Sequence, residues 1–289
     1  MGAALALAVM SSLCFGIALV SGRIGLRTLD ARSGAAISIP TATALFALAA
    51  PFAFEGAGFT VRAALLFAAV GLFFPALVTI LTFRSNQQLG PTITGAVSGT
   101  APLFALLAAG LLLGETVPAQ AVAACVAIVA GVAVLSWKQG AVRPGFMHWS
   151  LLWPIAGAVL RGFAQAGAKA GLVLWPSPFA ASLIGYTVSS ATVIGSNRIG
   201  RATRPPLTKH SVVWFGVTGI LNGGAVLLMY GALSMAPVSL VAPVVAAYPL
   251  ATALVSAVVL REEPVTRHMV AGATITVLAI IYLLISATG

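Results

Sequence analysis

The sequence predicts an all-α polytopic membrane protein, with ten transmembrane helices arranged as two inverted five-helix repeats. Three observations carry this. Charged residues make up 7% of the 289-residue chain and apolar residues 60%, with a mean hydropathy of +1.07. A soluble domain carries about 25% charged residues. Apolar stretches of helical length fill the chain, and nearly every charge lies between them. A hydrocarbon core of about 30 Å needs about 20 apolar residues per crossing, and a lipid-exposed backbone must satisfy its own hydrogen bonds, so such stretches are helices. The third observation is an internal duplication, described below.

Taken in order, the spans fall at 3–22, 34–54, 62–83, 91–113, 118–137, 149–172, 177–195, 212–233, 237–260 and 268–286. The first has no basic residue before its apolar run and is followed by nine more. It reads as a retained helix rather than a signal peptide. The others are separated by short polar or Gly/Pro-containing turns, the longest being the polar segment Ser196 to Ser211. Prolines inside spans, at positions 40, 75, 102, 154, 243 and 249, are tolerated where neighbouring helices satisfy the freed backbone groups. Small residues let helices approach closely. Helices and short loops use up the chain and leave no soluble domain, so any chemistry lies in the spans or at their ends.

The duplication is legible in two matched segments. The fourth span holds Ala101-Pro102-Leu103 and ends Leu113-Gly114-Glu115. The ninth holds Tyr248-Pro249-Leu250 and ends Leu260-Arg261-Glu262. Pro102 to Glu115 and Pro249 to Glu262 are both 13 residues. Each unit opens with a turn ending in proline, Leu89-Gly90-Pro91 and Met235-Ala236-Pro237, and is followed by one more span. The chain therefore divides into repeats 1–139 and 140–289. Five helices per repeat is an odd number, which forces opposite orientations, and inverted repeats are a signature of secondary transporters.

The stretches GTAPLFALLAAGLLLGETVPAQAVAACVAIVAGVAVLSW and AAYPLATALVSAVVLREEPVTRHMVAGATITVLAIIYLLIS resemble the ends of two EamA domains of the drug/metabolite transporter superfamily. The resemblance covers essentially the whole chain, and the doubled Pro-x12-Glu pattern is its most specific element. It implies a ten-helix carrier working by alternating access and leaves the substrate open. Phe15-Gly16 stands where members often have Trp-Gly, Ser38-Ile39-Pro40 where an arginine is common, and Ala124 where a mid-helix glycine is usual. Glu263 competes with Glu262 for the repeat glutamate.

Twelve of the fifteen Lys and Arg residues fall in loops 1–2, 3–4, 5–6, 7–8 and 9–10, against Arg62 and Lys169 on the other face. The positive-inside rule puts the twelve in the cytoplasm and both termini outside, whereas the resemblance implies both termini inside for many members. The expected location is a bacterial inner membrane. The net charge of +10 is spread over loops with no soluble scaffold, so nucleic acid is not an expected partner. Cys14 and Cys125 sit in apolar spans and read as small buried residues. No metal-binding spacing occurs, and no cofactor is expected.

Ionisable groups inside a membrane are functional candidates by default. Arg161, Gln165 and Lys169 are four residues apart along one stripe of the sixth span. Arg161 is near mid-span; Lys169, about 12 Å further along, reads either as a substrate contact or as a snorkelling side chain. Arg84 and Arg23 close the third and first spans, with the same two readings. Asn222, Tyr230 and Tyr248 complete the candidate substrate-binding set, and Tyr186 is a further buried tyrosine. Pro102, Glu115, Pro249 and Glu262 form the repeat motif, read as fixing the turns between helices.

All five acids, Asp30, Glu55, Glu115, Glu262 and Glu263, lie outside span interiors, and His148, His210 and His268 sit at span ends or in loops. Arg161 thus lacks an internal counter-ion, which a bound anion would supply. The expected function is secondary transport of a small polar metabolite bearing a carboxylate or other negative group, with no ATP use and a monomer sufficient. Its rivals are export of amphipathic drugs or neutral compounds, a non-transporting sensor or scaffold, and an intramembrane enzyme. The last lacks a catalytic acid or histidine inside the spans.

Overall fold

A computed structural model describes residues 1–135, 148–199, 207–260 and 266–288. The regular structure among these residues is helical. The α-helices are α1 (Gly2–Gly25), α2 (Ala31–Ala53), α3 (Val61–Phe73), α4 (Ala76–Ser98), α5 (Ala101–Ala108), α6 (Ala119–Leu135), α7 (Leu152–Leu174), α8 (Pro178–Ile199), α9 (Lys209–Met235), α10 (Val238–Val245), α11 (Tyr248–Val255) and α12 (Arg267–Thr288). Among the described residues, six apolar runs are long enough to cross a membrane: Gly2–Gly25, Ala31–Ala53, Val61–Leu113, Pro178–Ser196, Lys209–Met235 and Val238–Leu260. α6 and α12 contribute shorter apolar stretches. α7 is as long as its neighbours but carries the stripe of Arg161, Gln165 and Lys169.

Local chemistry sets the ends. The Asp30 carboxylate accepts hydrogen bonds from the Arg32 and Ser33 amides at the start of α2. Thr60 caps α3 through the Ala63 amide, and Thr208 with Ser211 forms a capping box on α9. α8 runs to Ile199 and α9 begins at Lys209, so both helices extend into the polar segment 196–211.

The third and fourth spans differ from expectation. Helix ends at Phe73 and restarts after Pro75, and it then continues through 84–89, read as a loop, to Gly90. Gly90 has φ 83° and ψ 169°, a region essentially reserved for glycine, and breaks α4 just before Pro91. The fourth span is itself in pieces, broken at Gly99-Thr100, and the ninth is broken at Ala246-Ala247. Pro102 and Pro249 each occupy the first turn of the helix that restarts, where an N–H would be unsatisfied anyway. Each of those helices ends in a π-helical turn, Ala109–Leu113 and Ser256–Leu260.

Helix packing follows one exchange rule. α1 lies on α9 as α7 lies on α3 and α4; α1 lies on α10 and α11 as α7 lies on α5; α2 lies on α9 as α8 lies on α3. The pairs α2–α8 and α6–α12 map onto themselves. Side chains obey the same rule: Phe215 covers Gly25, and Phe67 covers Gly171. Between α6 and α12 the close approach is made by Gly131 and Gly272, while Ala124 is buried elsewhere on α6.

Candidate functional site

α7 sits at the centre because its buried stripe is small. Gly157, Ala158, Gly162, Ala164 and Ala168 let other helices close on it. A Cβ on Gly162 would lie 2.7 Å from the Ala105 amide nitrogen of α5, and one on Gly16 would lie 2.8 Å from the Tyr248 carbonyl oxygen of α11. Only glycine fits at either crossing. Gly16 follows Phe15 and Gly162 follows Arg161, so the exchange rule puts Phe15 and Arg161 at equivalent places.

They meet at the middle of the bundle. Arg161 is 8% exposed. Its guanidinium carbon lies 5.1 Å from the centroid of the Phe15 ring and 5.5 Å from that of Tyr248. Its Nε and Nη1 atoms are buried and make no hydrogen bond. The guanidinium borders a space of about 320 Å³, open mouth included, walled by Phe74, Thr79, Phe83, Tyr186 and Asn222. A second lobe reaches Ala18, Leu19, Thr82 and Tyr248. Tyr186 packs its ring on Phe46, and its buried hydroxyl has no partner.

The predicted stripe on α7 therefore divides. Arg161 borders the cavity. Gln165 is buried one turn away, with its Oε1 unpaired. Lys169 does not line the cavity: its Nζ donates to the carbonyls of Leu233 and Ala236, 2.7 and 3.0 Å away, where α9 ends. A cation at a helix C-terminus meets both the orphan carbonyls and the negative end of the macrodipole. Arg84 is also a correction. It is exposed and lies over the Trp153 ring at 4.3 Å, consistent with its place at the end of the apolar run. Arg23, the equivalent of Lys169, donates to the carbonyls of Asn86 and Gln87, just before the Gly90 break.

Asn222 and Tyr248 do line the cavity. Tyr230 is buried on α9 and is not among the residues that border the cavity. Glu115 accepts from the Val238 amide, at 3.2 Å, so it caps α10 across the halves rather than its own following helix. Glu262, with Arg261 and Glu263, lies outside the described residues. Phe15, Thr79, Thr82 and Phe83 were not legible as lining positions from polarity alone. The match of Phe15-Gly16 to Arg161-Gly162, 146 positions apart, was the signal that could have found the first of them.

A model of the EamA-like transporter family matches the chain twice, over residues 2–137 and 148–285. No curated protein matches. Twenty-eight chains of solved structures match. One of them, described only as the crystal structure of a protein, covers 100% of this chain and 98% of its own at a TM-score of 0.78 and 15% identity, a likeness of fold alone.

Proposed function

The chain belongs to the EamA-like transporter family, and from that premise we propose that it carries a small anionic or carboxylate-bearing metabolite across the membrane by alternating access. It is a multi-pass integral membrane protein of the drug/metabolite transporter type. In the proposed arrangement ten spans form two inverted repeats, 1–139 and 140–289, in a bacterial inner membrane, with a complete pathway in one chain. The exchange rule in the packing supports the inversion, since a two-fold axis in the membrane plane relates such halves.

The observation that carries the substrate reading is the unpaired guanidinium of Arg161. A buried cation without a partner is costly. The described acids Asp30, Glu55 and Glu115 are remote from it in sequence and lie outside the span interiors, Asp30 and Glu115 serving as helix caps. A carboxylate or similar group entering the cavity pairs with the guanidinium and completes its hydrogen bonds. The aromatic walls, Phe15, Phe74 and Phe83, favour a second reading, export of amphipathic drugs or neutral compounds.

The two readings separate on charge. Purified protein in detergent is heated with anions, zwitterions, cations and neutral amphiphiles. A ligand at 100 times its Kd raises stability by about 2.7 kcal/mol. Stabilisation by anions that Arg161→Gln abolishes supports the proposal, and uptake into liposomes then tests transport. Stabilisation by cations or neutral compounds alone overturns it.

A further inference from the structure

The two halves contribute unequally to the cavity. Equivalent positions make this visible: Arg161 corresponds to Phe15, Gln165 to Leu19 and Tyr248 to Ala101, and Asn222 falls opposite the apolar break Phe74–Ala76. In each pair the second half supplies the polar or hydrogen-bonding residue and the first half an apolar one. The lining repeats the pattern. Arg161, Tyr186, Asn222 and Tyr248 come from the second half, with Val226 its one apolar lining residue among those described, whereas Phe15, Leu19, Phe74, Val78 and Phe83 come from the first. From the first half, only Thr79 and Thr82 bring hydroxyls to the described walls.

We infer that the substrate is an amphipathic monoanion, its single charged head held by Arg161 with Tyr186 and Asn222, and its apolar body laid against the first half. This rests on the anion reading above and narrows it. One cation among the described lining residues neutralises one charge. A phosphate dianion would bring a second charge into a wall with no second cation, and a polyol body would bring hydroxyls against Phe15, Leu19, Val78 and Phe83. Burying unpaired polar groups there is unfavourable, whereas an apolar ring or chain gains from the same surface. The Tyr186 hydroxyl and the Arg161 Nε and Nη1 have no partner, and an oxyanion brought against them would complete their hydrogen bonds.

Four probes separate body from charge: benzenesulfonate has both, benzenesulfonamide the body alone at neutral pH, and methanesulfonate and inorganic phosphate the charge with little or no body. Each is titrated against the purified full chain, and half-saturation is read from thermal stability. The expected result is that benzenesulfonate half-saturates at a concentration at least tenfold below the other three. Arg161→Gln should then reduce it to the level of benzenesulfonamide; should that variant not fold, the series on the unaltered protein decides alone. Phosphate or methanesulfonate binding as well as benzenesulfonate overturns this inference and leaves the anion reading standing. If benzenesulfonamide equals benzenesulfonate, or no anion binds, the anion reading falls and this inference with it.

Discussion

Replacing Arg161 by methionine should stabilise the empty protein. Two guanidinium nitrogens, Nε and Nη1, are buried without partners. Leaving a buried donor unsatisfied costs about 1–3 kcal/mol each, hence about 2–6 kcal/mol for the pair. Against this stand the contacts with the Phe15 and Tyr248 rings at 5.1 and 5.5 Å, worth about 0.5–2 kcal/mol apiece. The difference favours removing the charge by about 1–2 kcal/mol, since the methionine side chain retains much of the aliphatic packing and adapts to irregular space. Thermal unfolding in a buffer low in added anions, with unaltered protein and Arg161→Met side by side, should show the variant melting a few degrees higher. The same variant should lose stabilisation by benzenesulfonate. A variant less stable by 1 kcal/mol or more would mean that the guanidinium is satisfied in the empty protein and is a structural cation, and the substrate reading would lose its basis.

Three further outcomes follow from the frame around the cavity. Lys169→Met removes two charge-assisted bonds to the end of α9; for a half-buried group this should cost about 1–2 kcal/mol, read by thermal unfolding, with benzenesulfonate binding unchanged. Gly90→Ala forces a Cβ onto φ 83° and should cost about 1–3 kcal/mol, while Gly224→Ala, where a Cβ meets nothing within 4 Å, serves as the neutral control. The excess of Lys and Arg on one face predicts external termini, so alkaline phosphatase fused after Gly289 should be active in cells; activity confined to a cytoplasmic reporter would reverse the assignment.

The fold was legible because membrane helices announce themselves by composition, and because Pro102 and Pro249 mark the same break in each half. Their surroundings were less so. Polarity marks 84–89 as a loop, but the helix continues there because Gly90, with its positive φ, and Pro91 supply the stop. The candidate site was half legible. Arg161 stood out because charge at mid-span is rare. Lys169 and Arg84 stood out for the same reason, yet they belong to the frame and the exterior. Sequence periodicity places a residue on a face of its own helix without saying what faces it. For Lys169 that is the exposed carbonyl end of α9, created by a break more than sixty residues further along the chain. Phe15 was hidden because a phenylalanine in an apolar span looks like packing.

Duplication also explains why frame and site use different residues. At the two equivalent corners before Pro91 and Pro237, a basic residue from the opposite half holds the preceding carbonyls: Lys169 at the end of α9, and Arg23 at the end of the first segment of α4. The two cations occupy equivalent positions and do equivalent work. Gly16 and Gly162 likewise make equivalent crossings, and Phe67 and Phe215 equivalent covers. What both halves need in order to pack has stayed alike. An inverted pair of identical halves would present the same surface to the cavity from both sides, and a substrate with a charged end and an apolar end would have no preferred direction in it. Such a ligand is held in one orientation only where equivalent positions differ, as Arg161 differs from Phe15 and Tyr248 from Ala101. The substitution that restores the first equivalence, Arg161→Phe, should therefore spare the fold and remove the discrimination between benzenesulfonate and benzenesulfonamide.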